Sequence, residues 1–256
     1  MTFLHIDSIA HSFFSEQEQT DVLANISLHV SKGSFVSILG PSGCGKSTLL
    51  SIISGILPPQ KGRIRMMNRE ITKPSLDIGY MLQQDYLFPW KSIKENILLG
   101  LTIQKKQHTS DTERTFKLLE EVGLSNISHR YPNELSGGMR QRIAFVRTLA
   151  TNPSLLLLDE PFSALDFSTK LKLEHLVWSM LKHYNKTAIL VTHDLEEAIA
   201  MSDHLVLLSE RPSVIKKTLQ PPASIIHLPP LEARKHPDFL PFFTRLWKEM
   251  NMDEQV

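Results

Sequence analysis

Residues 40 to 48 read Gly40-Pro41-Ser42-Gly43-Cys44-Gly45-Lys46-Ser47-Thr48. They fit the pattern of Gly, four residues and Gly-Lys-Ser/Thr, in which a loop wraps around a phosphate chain and opens a helix. An apolar run at residues 35–39 comes directly before the loop and predicts a buried strand, and residues 49–53 predict a helix. The pattern therefore stands in the strand–loop–helix context that it requires, and it predicts a nucleotide site.

The residue types in this loop suit the parts of a nucleotide with its metal ion. Glycines allow backbone conformations closed to larger residues and bring N–H groups up to phosphate oxygens. The helix that follows points its positive end at the same anion. Lys46 can reach the β- and γ-phosphates, and the Ser47 hydroxyl can ligate Mg²⁺, a hard cation that prefers oxygen.

The length and composition fit one α/β domain or a core with a smaller insert, at 256 residues and 41% hydrophobic content. A net charge of +1 with both signs interspersed argues against nucleic acid as a partner. The apolar runs are far shorter than the roughly 18 residues that span a bilayer, and no secretory leader is visible, so we expect a soluble, cytoplasmic chain. The single cysteine, Cys44, excludes an internal disulfide, and its electropositive loop predicts a thiol open to alkylation.

The N-terminal segment predicts an antiparallel layer. Residues 3–9 and 22–30 alternate apolar and polar side chains, and Lys32-Gly33 marks a turn before the phosphate-loop strand. Phe13 and Phe14 fall between the two alternating runs. An aromatic ring there either stacks on the adenine of a nucleotide or packs into the core, and both uses remain open.

Acidic residues and a histidine follow two further buried strands. Residues 155–158 are four leucines, as in a central parallel strand, and Asp159-Glu160 comes next. Residues 188–192 predict another such strand, followed by His193. Open α/β sheets bind ligands at this end of their strands. We therefore expect one carboxylate of Asp159-Glu160 to bind a metal and the other to orient or deprotonate water, rather than both to be solvated turn residues. We also favour a functional role for His193 over a structural one.

Other segments predict helices and a tail. Residues 110–122 have helical spacing after a capping-box pattern that begins at Ser110. Ser136-Gly137-Gly138 caps the start of a helix that runs to about Ala150, a second place suited to an anion. Residues 205–208 are expected to be the last strand. From Arg211 onward prolines break up regular structure, and a short terminal helix packs on the core or on a partner.

Five elements stand in one order: the phosphate loop, Gln83 after a strand, Leu135-Ser136-Gly137-Gly138-Met139-Arg140-Gln141, the strand that ends at Glu160, and His193. In that order they resemble the ATP-binding subunit of an ABC transporter over about residues 4–210. The resemblance implies an α/β P-loop NTPase core with a mostly parallel central sheet, an N-terminal antiparallel β layer and an inserted helical subdomain. It implies an ATPase cassette at 1–210, with the helical insert at about 90–150, and a short tail at 211–256.

The resemblance also implies roles for matching positions. Glu160 resembles the general base, His193 the switch histidine that senses the γ-phosphate, and Gln83 the Q-loop glutamine that approaches the metal and the attacking water. Phe13 aligns best with the adenine-stacking aromatic, with Phe14 as the alternative. The expected ligands of Mg²⁺ are Ser47, Gln83 and Asp159. The expected ATP-binding positions are Phe13, Gly40, Pro41, Ser42, Gly43, Cys44, Gly45, Lys46, Ser47 and Thr48.

Partners follow from the same resemblance. Two copies facing head to tail would bury two ATP molecules, each contacted in trans by Ser136, Gly137, Gly138 and Asp166 of the other copy. The loop after Gln83 would touch multi-spanning permease subunits at the cytoplasmic face of the cell membrane. An extracellular or periplasmic solute-binding protein would belong to the same system.

The finer resemblance is to importer ATPases. Leu87-Phe88-Pro89-Trp90, the run from His193 to Ala198 and the Arg211-Pro212 turn are similar to importers for nitrate, sulfonates, taurine and related solutes, including thiamine-precursor pyrimidines. We therefore expect an ATP-hydrolysing subunit that couples ATP binding and hydrolysis to uptake of a small solute. The alternative is a non-transport ABC ATPase that acts on nucleic acid, ribosomes or lipid.

Overall fold

The computed structural model describes residues 2–15, 18–105 and 108–251. Residues 252–256, the end of the predicted tail, lie outside the described residues. The strands within these ranges are β1 (Thr2–Phe14), β2 (Gln19–Ser31), β3 (Phe35–Leu39), β4 (Lys61–Met66), β5 (Arg69–Glu70), β6 (Ile78–Met81), β7 (Leu155–Asp159), β8 (Thr187–Val191), β9 (His204–Leu208) and β10 (Ile215–Leu219). The α-helices are α1 (Lys46–Ile53), α2 (Ile93–Ile103), α3 (Thr109–Glu121), α4 (Gly137–Ala150), α5 (Phe167–His183), α6 (Leu195–Met201), α7 (Pro230–Ala233) and α8 (Phe239–Asn251).

The strands form two sheets, as the fold prediction requires. One is a six-stranded sheet in the order β10-β9-β3-β8-β7-β6, in which every pair is parallel except β10 with β9. The other is an antiparallel sheet in the order β2-β1-β4-β5. The α/β class with its N-terminal antiparallel layer is confirmed. The expectation that residues 205–208 form the last strand is wrong, because β10 follows and closes that edge of the sheet.

Alternation along the central strands divides the core between the two faces of the main sheet. Leu156 and Leu158 of β7 pack with helices α2 to α5, whereas Leu155 and Leu157 pack with α1 and the antiparallel sheet. Successive strand residues point to opposite faces, so a fully apolar strand serves two cores at once. The carboxyl ends of β3, β7 and β8 then meet at one edge, where the phosphate loop, Asp159 and His193 follow them.

The helices between β6 and β7 pack on one another and on the main sheet. Helix α2 begins with a full capping box, in which Ser92 accepts from the Glu95 N–H and Glu95 accepts from the Ser92 N–H. Helix α3 starts at Thr109, and its N-cap His108 makes no side-chain cap bond, so the predicted capping box at Ser110 is wrong. Within the described ranges no helix is both long and apolar enough to cross a bilayer.

The tail packs on the rest of the chain. Phe239, Phe242 and Leu246 of α8 are buried in a cluster with Ala198 and Ile199 of α6. Their spacing places one face of α8 against α6, which is the helix that follows His193. The tail therefore packs on α6, which begins two residues after His193.

Candidate active site

The phosphate loop joins β3 to α1. Gly45 caps the helix with a left-handed φ of 108°, and a Cβ added to it would lie 2.6 Å from Val22 Cγ1, so the position needs glycine. Lys46 is 7% exposed, and its Nζ donates to the carbonyl oxygens of Gly40 at 2.9 Å and Pro41 at 2.8 Å. The ammonium group is therefore held against the loop that would wrap the phosphates.

A cleft of about 640 Å³ opens over this loop. It is lined by residues 42–43 and 45–48 of the loop and by Glu160, His193 and Arg211. Its volume is in the range of small-ligand sites. The structure thus gathers six of the predicted phosphate-loop residues, the predicted base and the predicted switch histidine around one space, whereas Gly40, Pro41 and Cys44 do not line it.

Asp159 lies beside Ser47 at the edge of the cleft. Ser47 Oγ donates to Asp159 Oδ1 at 3.1 Å, and Tyr80 Oη donates to Asp159 Oδ2 at 3.3 Å. Asp159 is 8% exposed, and burial raises the pKa of its carboxyl group against the lowering effect of these two hydrogen bonds. A buried carboxylate next to a hydroxyl offers the hard oxygen ligands that Mg²⁺ takes, so these residues fit the predicted metal.

Tyr80 is a site residue that the sequence analysis did not identify. Burial and the neighbouring Asp159 carboxylate raise the pKa of its phenol, so the hydroxyl keeps its proton and donates to that carboxylate. Tyr80 comes from β6, which is hydrogen-bonded to β7 with Tyr80 opposite Leu157. The signal in the sequence is a tyrosine within an apolar strand, but only the order of the strands places it next to Asp159.

The carboxylate of Glu160 contacts side chains from two other segments. His193 Nδ1 lies 3.2 Å from Glu160 Oε2, and Gln83 Nε2 lies 3.5 Å from the same oxygen and 3.3 Å from Ser163 Oγ. Glu160 has a φ of 46°, a left-handed backbone that residues with side chains seldom adopt and that is common at functional sites. Two predicted residues from distant segments, His193 and Gln83, therefore meet at the Glu160 carboxylate.

The residues predicted to act in trans lie away from the cleft of their own chain. Ser136 is the N-cap of α4, and its Oγ accepts a hydrogen bond from the Met139 N–H at 3.3 Å. Gly137 lines a separate cavity of about 480 Å³ with residues 83–86. Gly138 packs on Thr169, and Asp166 caps α5 through the Thr169 N–H at 3.1 Å. The cleft lining within the described residues includes none of Ser136, Gly137, Gly138 and Asp166.

Three further residues of the prediction, Phe13, Phe14 and Cys44, do not line the cleft. Phe13 is 47% exposed and packs edge-on against His11, and Phe14 is 70% exposed. Both rings remain candidates for stacking on adenine. Cys44 is 1% exposed, so the expectation that its thiol is open to alkylation is wrong for this structure.

Comparison with known proteins identifies relatives over the whole chain. A family model described as ABC transporter matches residues 23–163. The chain is 53% identical over 255 residues to an uncharacterized ABC transporter ATP-binding protein of Bacillus subtilis (strain 168), with 100% of this chain and 98% of the relative covered. It is 35% identical over 263 residues to the taurine import ATP-binding protein of Roseobacter denitrificans, with 100% and 97% covered.

A solved structure matches most of the fold. It is the dimeric structure of a post-hydrolysis state of the ATP-binding cassette MJ0796, bound to ADP and Pi. The similarity has a TM-score of 0.74 at 29% sequence identity and covers 85% of this chain and 98% of that chain. The shared part is therefore nearly all of that cassette and leaves part of this chain unmatched.

Proposed function

The chain belongs to the ABC transporter family and is an ATPase that is coupled to transport, and from this premise we propose that it drives import of a small sulfonate such as taurine. The observation that carries the ATPase role is the cleft in which Lys46, Ser47 and Glu160 face one space. Support for the solute comes from similarity to a taurine import ATPase that extends over the whole chain. Nitrate and thiamine-precursor pyrimidines are the other solutes that the sequence resemblance suggests.

Hydrolysis in this proposal uses the residues around the cleft. The loop N–H groups and Lys46 bind the phosphates of ATP, and Glu160 accepts a proton from water as the water oxygen bonds to the γ-phosphorus. The bond from that phosphorus to the β–γ bridging oxygen breaks, which gives ADP and phosphate. His193 and Gln83 position the Glu160 carboxylate through the contacts described above. Ser47, Asp159 and Gln83 would hold Mg²⁺, which neutralises charge on the phosphate oxygens.

We propose that a second copy completes each site. Ser136, Gly137, Gly138 and Asp166 line no part of their own cleft among the described residues, yet Ser136 opens a helix whose N-terminus suits an anion. Facing copies would bring this helix end to the ATP of the partner. ATP favours the closed dimer to the extent that it binds that state more tightly, and hydrolysis releases it.

The proposed membrane partners come from the family resemblance, and the surface near Gln83 supports them. Tyr86 is 58% exposed and Trp90 is 70% exposed, so two aromatic rings face outward from the loop after Gln83. Exposed aromatic side chains favour protein contacts. We assign this surface to the permease subunits and propose that the chain lies at the cytoplasmic face of the membrane. A solute-binding protein would deliver the sulfonate from outside.

Tyr80→Phe tests the metal arrangement. Removing a group that orients a metal ligand typically costs about 10- to 100-fold in metal affinity or activity. We therefore expect the Mg²⁺ concentration for half-maximal ATPase activity to rise about tenfold. The measurement is a Mg²⁺ titration at fixed ATP, with Tyr131→Phe, which changes a 45% exposed tyrosine, as the control. An unchanged half-maximal concentration in Tyr80→Phe would show that Asp159 does not need this hydrogen bond.

Transport itself can be tested in proteoliposomes. The protein is reconstituted with candidate permease subunits and a candidate solute-binding protein from the same genome, and uptake of labelled taurine is measured with ATP enclosed on the side of this chain. We expect uptake that needs ATP and is lost when Glu160→Gln replaces the natural chain. ATP hydrolysis without taurine uptake would contradict the solute, and stimulation by nucleic acid would favour the non-transport alternative.

A further inference from the structure

The chain returns to the phosphate loop after β9. Ser213 is fully buried, its N–H donates to the Val22 carbonyl at 2.9 Å, and its carbonyl accepts from the Ala24 N–H at 2.8 Å. Its hydroxyl donates to the carbonyl of Cys44 in the phosphate loop. Residues 211–213 are therefore fixed between β2 and the loop by main-chain and side-chain bonds.

Arg211 extends from this fixed segment into the wall of the cleft. Its Nε donates to the Gly43 carbonyl, and a Cβ added to Gly43 would lie 3.5 Å from Arg211 Nη2. The guanidinium group therefore lies over the loop, and it lines the same cleft as Lys46 and Ser47. In the described ranges neither terminal nitrogen of Arg211 has a hydrogen-bond or ion-pair partner, so donors remain free at the edge of the cleft.

A guanidinium group beside a phosphate loop is suited to bind phosphate oxygens. A guanidinium presents several N–H donors in a fixed plane and matches phosphate oxygens better than an ammonium does. Arg211 and Lys46 line the same cleft, so both positive charges would attract an anion that binds there. The Nε bond to Gly43 leaves the terminal nitrogens available and limits the orientations of the plane.

We propose that Arg211 is a second cationic ligand of the phosphate chain of bound nucleotide, which rests on the proposed function of the cleft. Arg211 contacts ATP before hydrolysis and ADP after it, because the side chain is bonded to the loop and to none of the groups at Glu160. It therefore adds ground-state binding energy for ATP and ADP alike, which lowers KM and leaves the chemical step to Glu160. Lys46 and Arg211 would hold the same phosphate chain from two segments of the fold.

The test compares nucleotide binding in Arg211→Gln, Arg211→Lys and the natural chain. Arg211 is exposed, so the loss of its hydrogen bonds to charged phosphate oxygens should weaken ATP and ADP binding of Arg211→Gln about tenfold. KM should rise by the same factor with less than a twofold change in kcat, and Arg211→Lys should recover part of the loss. Arg69→Gln, at an exposed position in β5, is the matched control.

Two outcomes would overturn the proposal. Affinity of Arg211→Gln for ATP within twofold of the natural chain would show that Arg211 does not contact the nucleotide. Unequal losses for ATP and GTP would place the contact on the base, since a phosphate contact weakens both by the same factor. If the natural chain did not bind ATP, the proposed function of the cleft would be wrong. If the natural chain bound ATP and Arg211→Gln bound it equally well, only the role of Arg211 would be wrong. Thermal unfolding without nucleotide separates either result from misfolding.

Discussion

Replacing Glu160 with glutamine should lower the rate of ATP hydrolysis by about 10²- to 10⁴-fold, which is the usual contribution of a general base, and should leave ATP bound. Glutamine has nearly the same size as glutamate, so the loop and its left-handed residue keep their shape, but the amide does not take a proton from water. Lys46, Ser47 and Asp159 are unchanged in this variant. Binding and chemistry are thereby separated.

The second consequence concerns the oligomeric state. If ATP closes two copies around two nucleotides, a variant that binds ATP and does not hydrolyse it should accumulate as a dimer. The measurements are steady-state phosphate release and light scattering after size exclusion, with and without Mg-ATP. Glu70→Gln, at an exposed position in β5, is the control for the loss of one negative charge.

Different results would contradict different parts of the proposal. A Glu160→Gln variant with the natural hydrolysis rate would show that another group takes the proton. A variant that binds ATP, does not turn it over and remains monomeric would contradict the assignment of Ser136 to the ATP site of a partner. The two assignments can therefore fail separately.

The parts of the fold that were predictable are those set by local patterns. The glycines and Lys46 identified the phosphate loop, and the four leucines before Asp159 identified a strand buried on both faces. Edge strand β10 lacked such a pattern, because it contains Lys216 and Lys217 and follows a proline-containing turn. An edge strand tolerates lysines, since one of its sides has no neighbouring strand.

The candidate site was predictable in its residues and only partly in its contacts. Glu160, His193 and Gln83 each follow a predicted strand, so their convergence follows from parallel strands that end at one edge. The positions of Tyr80 beside Asp159 and of Arg211 at the cleft were not predicted, because they depend on strand order and on the return of residues 211–213 to the phosphate loop. The start of α3 was mispredicted since a capping-box pattern is a local preference, and tertiary packing decides whether it is used.

The position of the tail was also beyond local patterns. Arg234 follows α7, and its Nη2 lies 2.5 Å from Glu174 Oε2, although the two residues are 60 positions apart. Glu174 is fully buried in α5, where Lys170 also approaches it at 3.9 Å. Lys170 in turn pairs with Asp194 at 2.6 Å and with buried Glu197 at 2.9 Å. The tail therefore supplies a cation to a buried charge network between the helix after Asp166 and the helix after His193.

Replacing Arg234 with methionine should lower the free energy of unfolding by about 1–3 kcal/mol, because it leaves a buried carboxyl group without its closest cation, and uptake of a proton by Glu174 limits the loss. Methionine keeps most of the apolar contact of the arginine stem, so the loss reports the charge. The measurement is urea unfolding followed by circular dichroism at pH 7.5. Lys235→Met, at the adjacent exposed position, is the matched control, and a loss no greater than that of the control would contradict the role of Arg234.

Glu174 provides an independent check through pH. Burial is the largest cause that raises the pKa of Glu174 to about 7 from 4.5, with Glu197 adding to the rise and Arg234 opposing it. Between those pH values the folded chain holds a proton that the unfolded chain has released, so this contribution to stability is complete below about pH 4.5 and is lost as pH rises through 7. Glu174→Gln should remove that decline of stability with pH.

The double variant Glu174→Gln/Arg234→Met should be more stable than Arg234→Met alone, because no buried carboxylate remains at position 174 to require the guanidinium. A double variant as unstable as Arg234→Met alone would instead assign the loss to packing of the arginine stem.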